Sequence, residues 1–122
     1  MSSPRRVLVV DDDESIRELV HMALSSEGHQ VLTAPHGRAA LEVIAKSPPD
    51  VILLDMKMPV MDGWEFARVY RAAPGQHAPI VVVTAAADAA GRAAEVAADG
   101  HLPKPFDLDD LFRVVDEYCP VS

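Results

Sequence analysis

The strongest constraint in this chain is a rhythm: short apolar, often β-branched runs alternate five times with segments whose apolar residues recur at helical spacing. Residues 6–10 form the first run and lead directly into Asp11-Asp12-Asp13. Apolar without alternation, such a run predicts a strand buried on both faces. Ile16, Leu19, Val20, Ala23 and Leu24 follow at helical spacing, and Gly28 closes that helix. A weaker strand is predicted over 29–33. Pro35 and Gly37 then lead into a second helix carrying Ala40, Leu41 and Ile44, which Ser47-Pro48-Pro49 breaks. Residues 51–54 give the clearest strand signal, ending at Asp55. Pro59 and Asp62-Gly63 mark a loop, and 64–72 predict a third helix. Pro79 precedes a fourth strand over 80–83 that ends at Thr84. Residues 88–98, rich in alanine and holding Gly91, read as a helix with few anchoring side chains. A short strand around 101–103 precedes a last helix carrying Leu108, Leu111, Phe112 and Val115.

Such alternation with short connections implies an α/β fold, parallel strands covered by helices on both faces. Right-handed crossovers leave few possible topologies. Pro103 puts the fifth strand at an edge, where a missing N–H is tolerated. No repeat, low-complexity tract or linker interrupts the 122 residues, which suit one domain. In sheets of this kind function gathers at the carboxyl ends of the strands. Here those ends carry Asp11-Asp12-Asp13, Asp55, Thr84 and Lys104.

Composition excludes several classes. No apolar run approaches the roughly 20 residues needed to cross a bilayer, and the run after Arg5-Arg6 is too short for a signal-peptide core. The net charge is −8, and Lys and Arg cluster nowhere beyond Arg5-Arg6, so direct nucleic-acid binding is not expected. The single Cys119 cannot form an internal disulfide, and a cytoplasmic location is the default. His21, His29, His36 and His77 show no metal-ligand spacing and read as surface residues; Trp64 and Phe66 read as packing or partner-contact residues.

Three carboxylates brought together repel unless some protonate or a cation binds. Mg²⁺ suits such a place, because it takes one or two carboxylates together with waters and phosphate oxygens. Thr84 would add a hydroxyl donor and Lys104 a point charge able to hold phosphoryl oxygens. Acid, cation, hydroxyl and ammonium together are what phosphoryl transfer requires. Asp13 alone reads equally well as a helix N-cap.

The segments Val7-Leu8-Val9-Val10-Asp11-Asp12-Asp13, Val51-Ile52-Leu53-Leu54-Asp55-Met56-Lys57-Met58-Pro59, Asp62-Gly63, Val81-Val82-Val83-Thr84-Ala85 and Lys104-Pro105-Phe106 resemble the receiver domains of two-component response regulators, and the likeness spans nearly the whole chain. It implies a flavodoxin-like, doubly wound sheet of five parallel strands in the order 2-1-3-4-5 with five helices. It further implies a single receiver over 1–122 with no output domain present, either a stand-alone, chemotaxis-regulator-like protein or a fragment of a longer regulator. Asp55 would accept a phosphoryl group from a phosphohistidine or a small donor. Asp11, Asp12, Asp55 and the backbone carbonyl of Lys57 would hold Mg²⁺. Thr84 would be the switch hydroxyl and Lys104 the phosphate-binding lysine, with a cis bond to Pro105. Implied partners are a sensor histidine kinase or phosphotransfer protein and an unidentified downstream protein, with the chain a monomer or weak dimer. It would catalyse only its own phosphorylation and dephosphorylation, and the face of the fourth helix, fifth strand and fifth helix would respond.

His101 departs from the Tyr or Phe usual at the aromatic switch position, while Lys57 and Ala86 occupy variable positions that tune hydrolysis. Two rivals remain at this stage. Asp11-Asp12-Asp13-Glu14-Ser15 loosely resembles the loop of haloacid-dehalogenase-type phosphatases, although Ser15 replaces the expected residue and there is no room for a cap domain. A phosphorylation-independent interaction module is the other rival, although such degenerate receivers usually lack the acceptor or the acid pair.

Overall fold

The computed structural model describes residues 5–85 and 87–118; the readings made at Ala86, at Cys119 and in the first four residues lie outside the described residues. Ten elements alternate along the chain: β1 (Arg6–Val10), α1 (Glu14–Ser26), β2 (Gln30–Ala34), α2 (Gly37–Lys46), β3 (Val51–Leu54), α3 (Gly63–Ala72), β4 (Ile80–Ala85), α4 (Ala89–Glu95), β5 (Gly100–Lys104) and α5 (Leu108–Tyr118). The strands form one parallel sheet in the order β2-β1-β3-β4-β5, so β5 lies at an edge as Pro103 required.

The unbroken apolar runs of β1 and β3 follow from their place in the middle of the sheet, where alternate side chains must enter different cores. Leu8, Val10, Ile52, Leu54, Ile80 and Val82 pack with Ala40 of α2, Phe66, Ala67 and Tyr70 of α3, and Ala93 of α4. Their neighbours Val7, Val9, Val51, Leu53, Val81 and Val83 pack on the opposite face with Val20, Ala23 and Leu24 of α1 and Leu111, Val114 and Val115 of α5. Full burial of each such side chain stabilises by about 1.5–3 kcal/mol, and Val51 to Leu54 are at most 2% exposed. The central strands are thereby fixed in position, and so are the residues that leave their ends.

Helix starts are set by short polar side chains. Asp13 caps α1 by accepting from the Ser15 N–H, and Asp62 caps α3 by accepting from the Glu65 N–H. His36 caps α2 through Nδ1, which accepts from the Ala39 N–H at 3.1 Å. Of the histidines read as surface residues, His29 is instead buried, with Nδ1 accepting the Arg5 N–H at 3.1 Å.

The largest departure concerns α4, which is shorter than the 88–98 expected. Ala97 turns to φ 52°, and the Ala98 N–H donates back to the Ala93 carbonyl, ending the helix after Glu95. Alanine content gave no hint of this stop, nor of the side chains of α3 that hold the helix. Arg71 donates to the carbonyls of Val96 and Ala97, and Arg92 lies 5.2 Å over the Trp64 ring. The fourth helix is therefore tethered at its carboxyl end rather than poorly anchored throughout. Smaller differences are β2 starting one residue later than read, α3 starting at Gly63, and β4 and β5 running on through Ala85 and Lys104. No described helix is long and apolar enough to cross a membrane.

Candidate functional site

The parallel register sets the site. Val10 pairs with Leu54 where β1 and β3 run side by side, so the next residues, Asp11 and Asp55, leave the sheet as neighbours. Ladder-like bonds continue one step beyond the strands: the Asp55 N–H donates to the Val10 carbonyl at 2.8 Å and the Asp11 N–H to the Ala34 carbonyl at 3.1 Å. Asp11 and Asp55 are buried and Asp12 is exposed, and carboxylate oxygens from all three lie within 4.8 Å of one another.

Further contacts orient this group. One Asp11 oxygen accepts from the Asp13 N–H at 2.9 Å, and the other accepts from Lys104 Nζ at 2.9 Å. The same ammonium lies 3.9 Å from Asp55 Oδ1. Ala85 pairs with Lys104 and Thr84 with Pro103 in the β4–β5 register, which brings a buried Thr84 and the lysine to the same rim. The Lys104–Pro105 bond is cis. All the acids and the lysine selected from sequence thus converge at one end of the sheet.

His101 and Lys57 lie differently. His101 is exposed and pairs in register with Val82. Because its neighbour Leu102 enters the core beneath α1 and α5, strand alternation puts His101 on the α4 side of the sheet. Lys57 is exposed in the loop after β3.

The electrostatics follow from the packing. Burial is the main force raising Asp55 from 3.8 to about 6; the charges of Asp11 and Asp12 add to it, while Lys104 and the Met56 N–H act against it. For Lys104 burial pulls downward, but the hydrogen bond it donates to Asp11 and the charges of Asp11 and Asp55 outweigh it and leave the amine above its ordinary value. The lysine alone therefore does not relieve the crowding of negative charge around Asp55.

Several supporting contacts escaped the sequence reading. Arg17 Nη1 donates to the Asp11 carbonyl at 2.8 Å, fixing the turn that carries the acids. Gly63 lets the chain after Asp55 pass close by, since a Cβ there would stand 2.8 Å from the Asp55 carbonyl oxygen and 2.6 Å from Met56 Sδ. Asp62 and Glu65, three apart before an apolar run, carry an N-cap signal that could have been recognised. The Arg17 contact has no such local signature. A cavity of about 940 Å³ lies instead near the amino-terminal ends of β3 and β4, lined by residues such as Ile44, Pro49, Tyr70 and His77.

Comparison with known proteins decides the family. Residues 7–116 match the model of the response regulator receiver domain. The chain belongs to the response regulator receiver domains. Among related proteins, it is 44% identical over 110 residues to the response regulator MprA of Mycolicibacterium vanbaalenii, covering 88% of this chain and 47% of that protein. The chain thus spans about half the length of the curated relatives it matches. Among solved structures, the chemotaxis response regulator CheY4 of Vibrio cholerae superposes with a TM-score of 0.83 at 36% identity, covering 95% of this chain and 99% of that one. The receiver domain of NtrX from Brucella abortus gives 0.82 at 30% identity, covering 95% and 99%. These likenesses place the receiver in two-component signalling and leave no support for the dehalogenase-type reading.

Proposed function

We propose that this receiver is a phosphorylation-dependent signalling switch in which Asp55 accepts a phosphoryl group from the phosphohistidine of a sensor kinase or phosphotransfer protein. The observation that carries the reading is the convergence of the Asp11, Asp12 and Asp55 oxygens within 4.8 Å, with Lys104 Nζ against two of these acids.

The donor set fits Mg²⁺: hard carboxylate oxygens, one side open to water, and negative charge that Lys104 does not neutralise. Asp11, Asp12, Asp55 and the Lys57 carbonyl would hold the ion, which when bound supplies charge neutralisation for the phosphoryl oxygens. The protein's own groups do the rest. A carboxylate oxygen of Asp55 forms the new O–P bond, and the histidine nitrogen of the donor leaves with the electrons of the broken N–P bond. Lys104 and the Thr84 hydroxyl then hold phosphoryl oxygens at the rim.

Release of Lys104 from Asp11 and inward movement of Thr84 would shift the populations of the α4–β5–α5 face, where His101 stands in the switch position. A downstream protein reads that face. We read 1–122 as a single receiver that works in the cytoplasm as a monomer or weak dimer, without direct nucleic-acid or membrane contact. Its only chemistry is its own phosphorylation and dephosphorylation.

Incubation with acetyl phosphate and Mg²⁺ tests the reading by intact mass. One alkali-labile phosphoryl group on the wild-type chain and none on Asp55→Asn is the expected result; uptake that persists in Asp55→Asn refutes it.

A further inference from the structure

The loop between Asp55 and α3 is held in an unusual way. Val60 has φ 71°, a region β-branched residues rarely adopt, and the Met61 N–H donates to the Pro59 carbonyl at 2.8 Å. This closes a strained γ-turn centred on Val60. The Val60 side chain is 67% exposed, so its own burial does not offset that strain. The compensating contacts lie at the next residue. Met61 is buried, and its carbonyl accepts the Gly37 N–H at 2.9 Å. Its side chain lies on Gly37, where an added Cβ would stand 2.7 Å from Met61 Cγ and 3.0 Å from both Sδ and the carbonyl oxygen. Gly37 opens α2 without a left-handed φ, so the lack of a side chain there serves space rather than backbone freedom.

The second anchor of the loop is the Gly63 N–H, which donates to the Met56 carbonyl at 2.9 Å. Lys57 and Met58 run between the two anchors with no strand or helix of their own. Whatever displaces Met61 is therefore transmitted along a short tether to the residue that follows Asp55 by two.

We propose that Gly37 is a positioning residue for the phosphoryl-accepting loop. By admitting Met61 against the first turn of α2, it holds the strained turn at Val60 and sets the course of the backbone at Lys57. This rests on the functional reading above, in which the Lys57 carbonyl faces the cation.

The test measures Mg²⁺ affinity by calorimetry, melting temperature, and the rate of aspartyl-phosphate formation from acetyl phosphate. Gly37→Ala is expected to weaken Mg²⁺ binding about 10-fold, the lower end of what supporting residues around metal ligands contribute, and Met61→Ala by less. Because both act through one contact, the double variant should resemble Met61→Ala rather than multiply the losses. Val115→Ala, in the core on the opposite face, should lower the melting temperature while leaving Mg²⁺ affinity unchanged.

Wild-type affinity in a folded Gly37→Ala, multiplying losses in the double variant, or an equal loss of affinity in Val115→Ala would each overturn the positioning role. If Gly37→Ala does not fold, Met61→Ala decides, and unchanged affinity there overturns it. A wild-type chain that takes up no phosphoryl group brings down the functional reading and this role with it. Normal wild-type uptake with indifferent variants brings down this role alone.

Discussion

Replacing Asp55 with Asn should stabilise the metal-free protein, and should do so only where the carboxylate would be ionised. Burial and the neighbouring acids raise the group from 3.8 to about 6, so the folded state disfavours its charge. Below pH 3.8 the carboxyl is protonated whether the chain is folded or not, and it imposes no burden. Between there and about 6 the unfolded chain releases the proton while the folded one retains it, so the burden grows; above 6 it is complete. A displacement of that size corresponds at most to about 3 kcal/mol. The exposed Asp12 leaves one side of the site open to water, and the high effective dielectric there reduces the figure to about 1–2 kcal/mol. For a domain of this length the gain amounts to roughly 3–8 °C in melting temperature.

The assay is thermal unfolding of both chains with chelator, at about pH 7.5 and about pH 4, followed by Mg²⁺ addition at the higher pH. The variant should melt higher at the upper pH, and the difference should shrink at the lower. Mg²⁺ at about 100 times its dissociation constant should stabilise the wild type by about 2.7 kcal/mol and the variant by less. No gain at neutral pH, or an equal gain at both, would refute the argument that burial, with the neighbouring acids, disfavours the charged form of Asp55.

Lys104→Met leaves buried Asp11 without its ammonium and should cost about 1–3 kcal/mol without metal, measured by urea unfolding, with Mg²⁺ restoring part of the loss. Tyr70→Phe removes the phenol oxygen that accepts the Ala78 N–H at 2.7 Å and should cost about 1 kcal/mol in the same assay. Arg71→Ala removes the donors at the end of α4. It should speed amide exchange in 89–98 while leaving α1 unchanged, as read by hydrogen-exchange mass spectrometry.

Much of this was legible because strand ends and chemistry coincide. The runs before Asp11, Asp55 and Thr84 are apolar throughout, which only central parallel strands require, and that requirement alone put the acids on one rim. Pro103 likewise announced an edge that the sheet order bears out. What sequence hid is long-range or conformational. The tether from Arg71 to the end of α4 spans 25 residues and leaves no periodic trace. His29 looks like any surface histidine until its Nδ1 meets the Arg5 N–H. The close approach of Met61 to Gly37 depends on a turn at Val60 that no composition rule predicts, since valine is among the residues least suited to it.

The central claim is that the third strand delivers one particular carboxylate to a phosphoryl donor. Borohydride trapping tests it directly, because reduction of an aspartyl phosphate leaves homoserine at the modified position. After treatment with acetyl phosphate and Mg²⁺, peptide mapping should find homoserine at position 55 alone, and none when chelator replaces the cation. Homoserine at 11, 12 or 13, or labelling at 55 that is indifferent to Mg²⁺, would contradict the account.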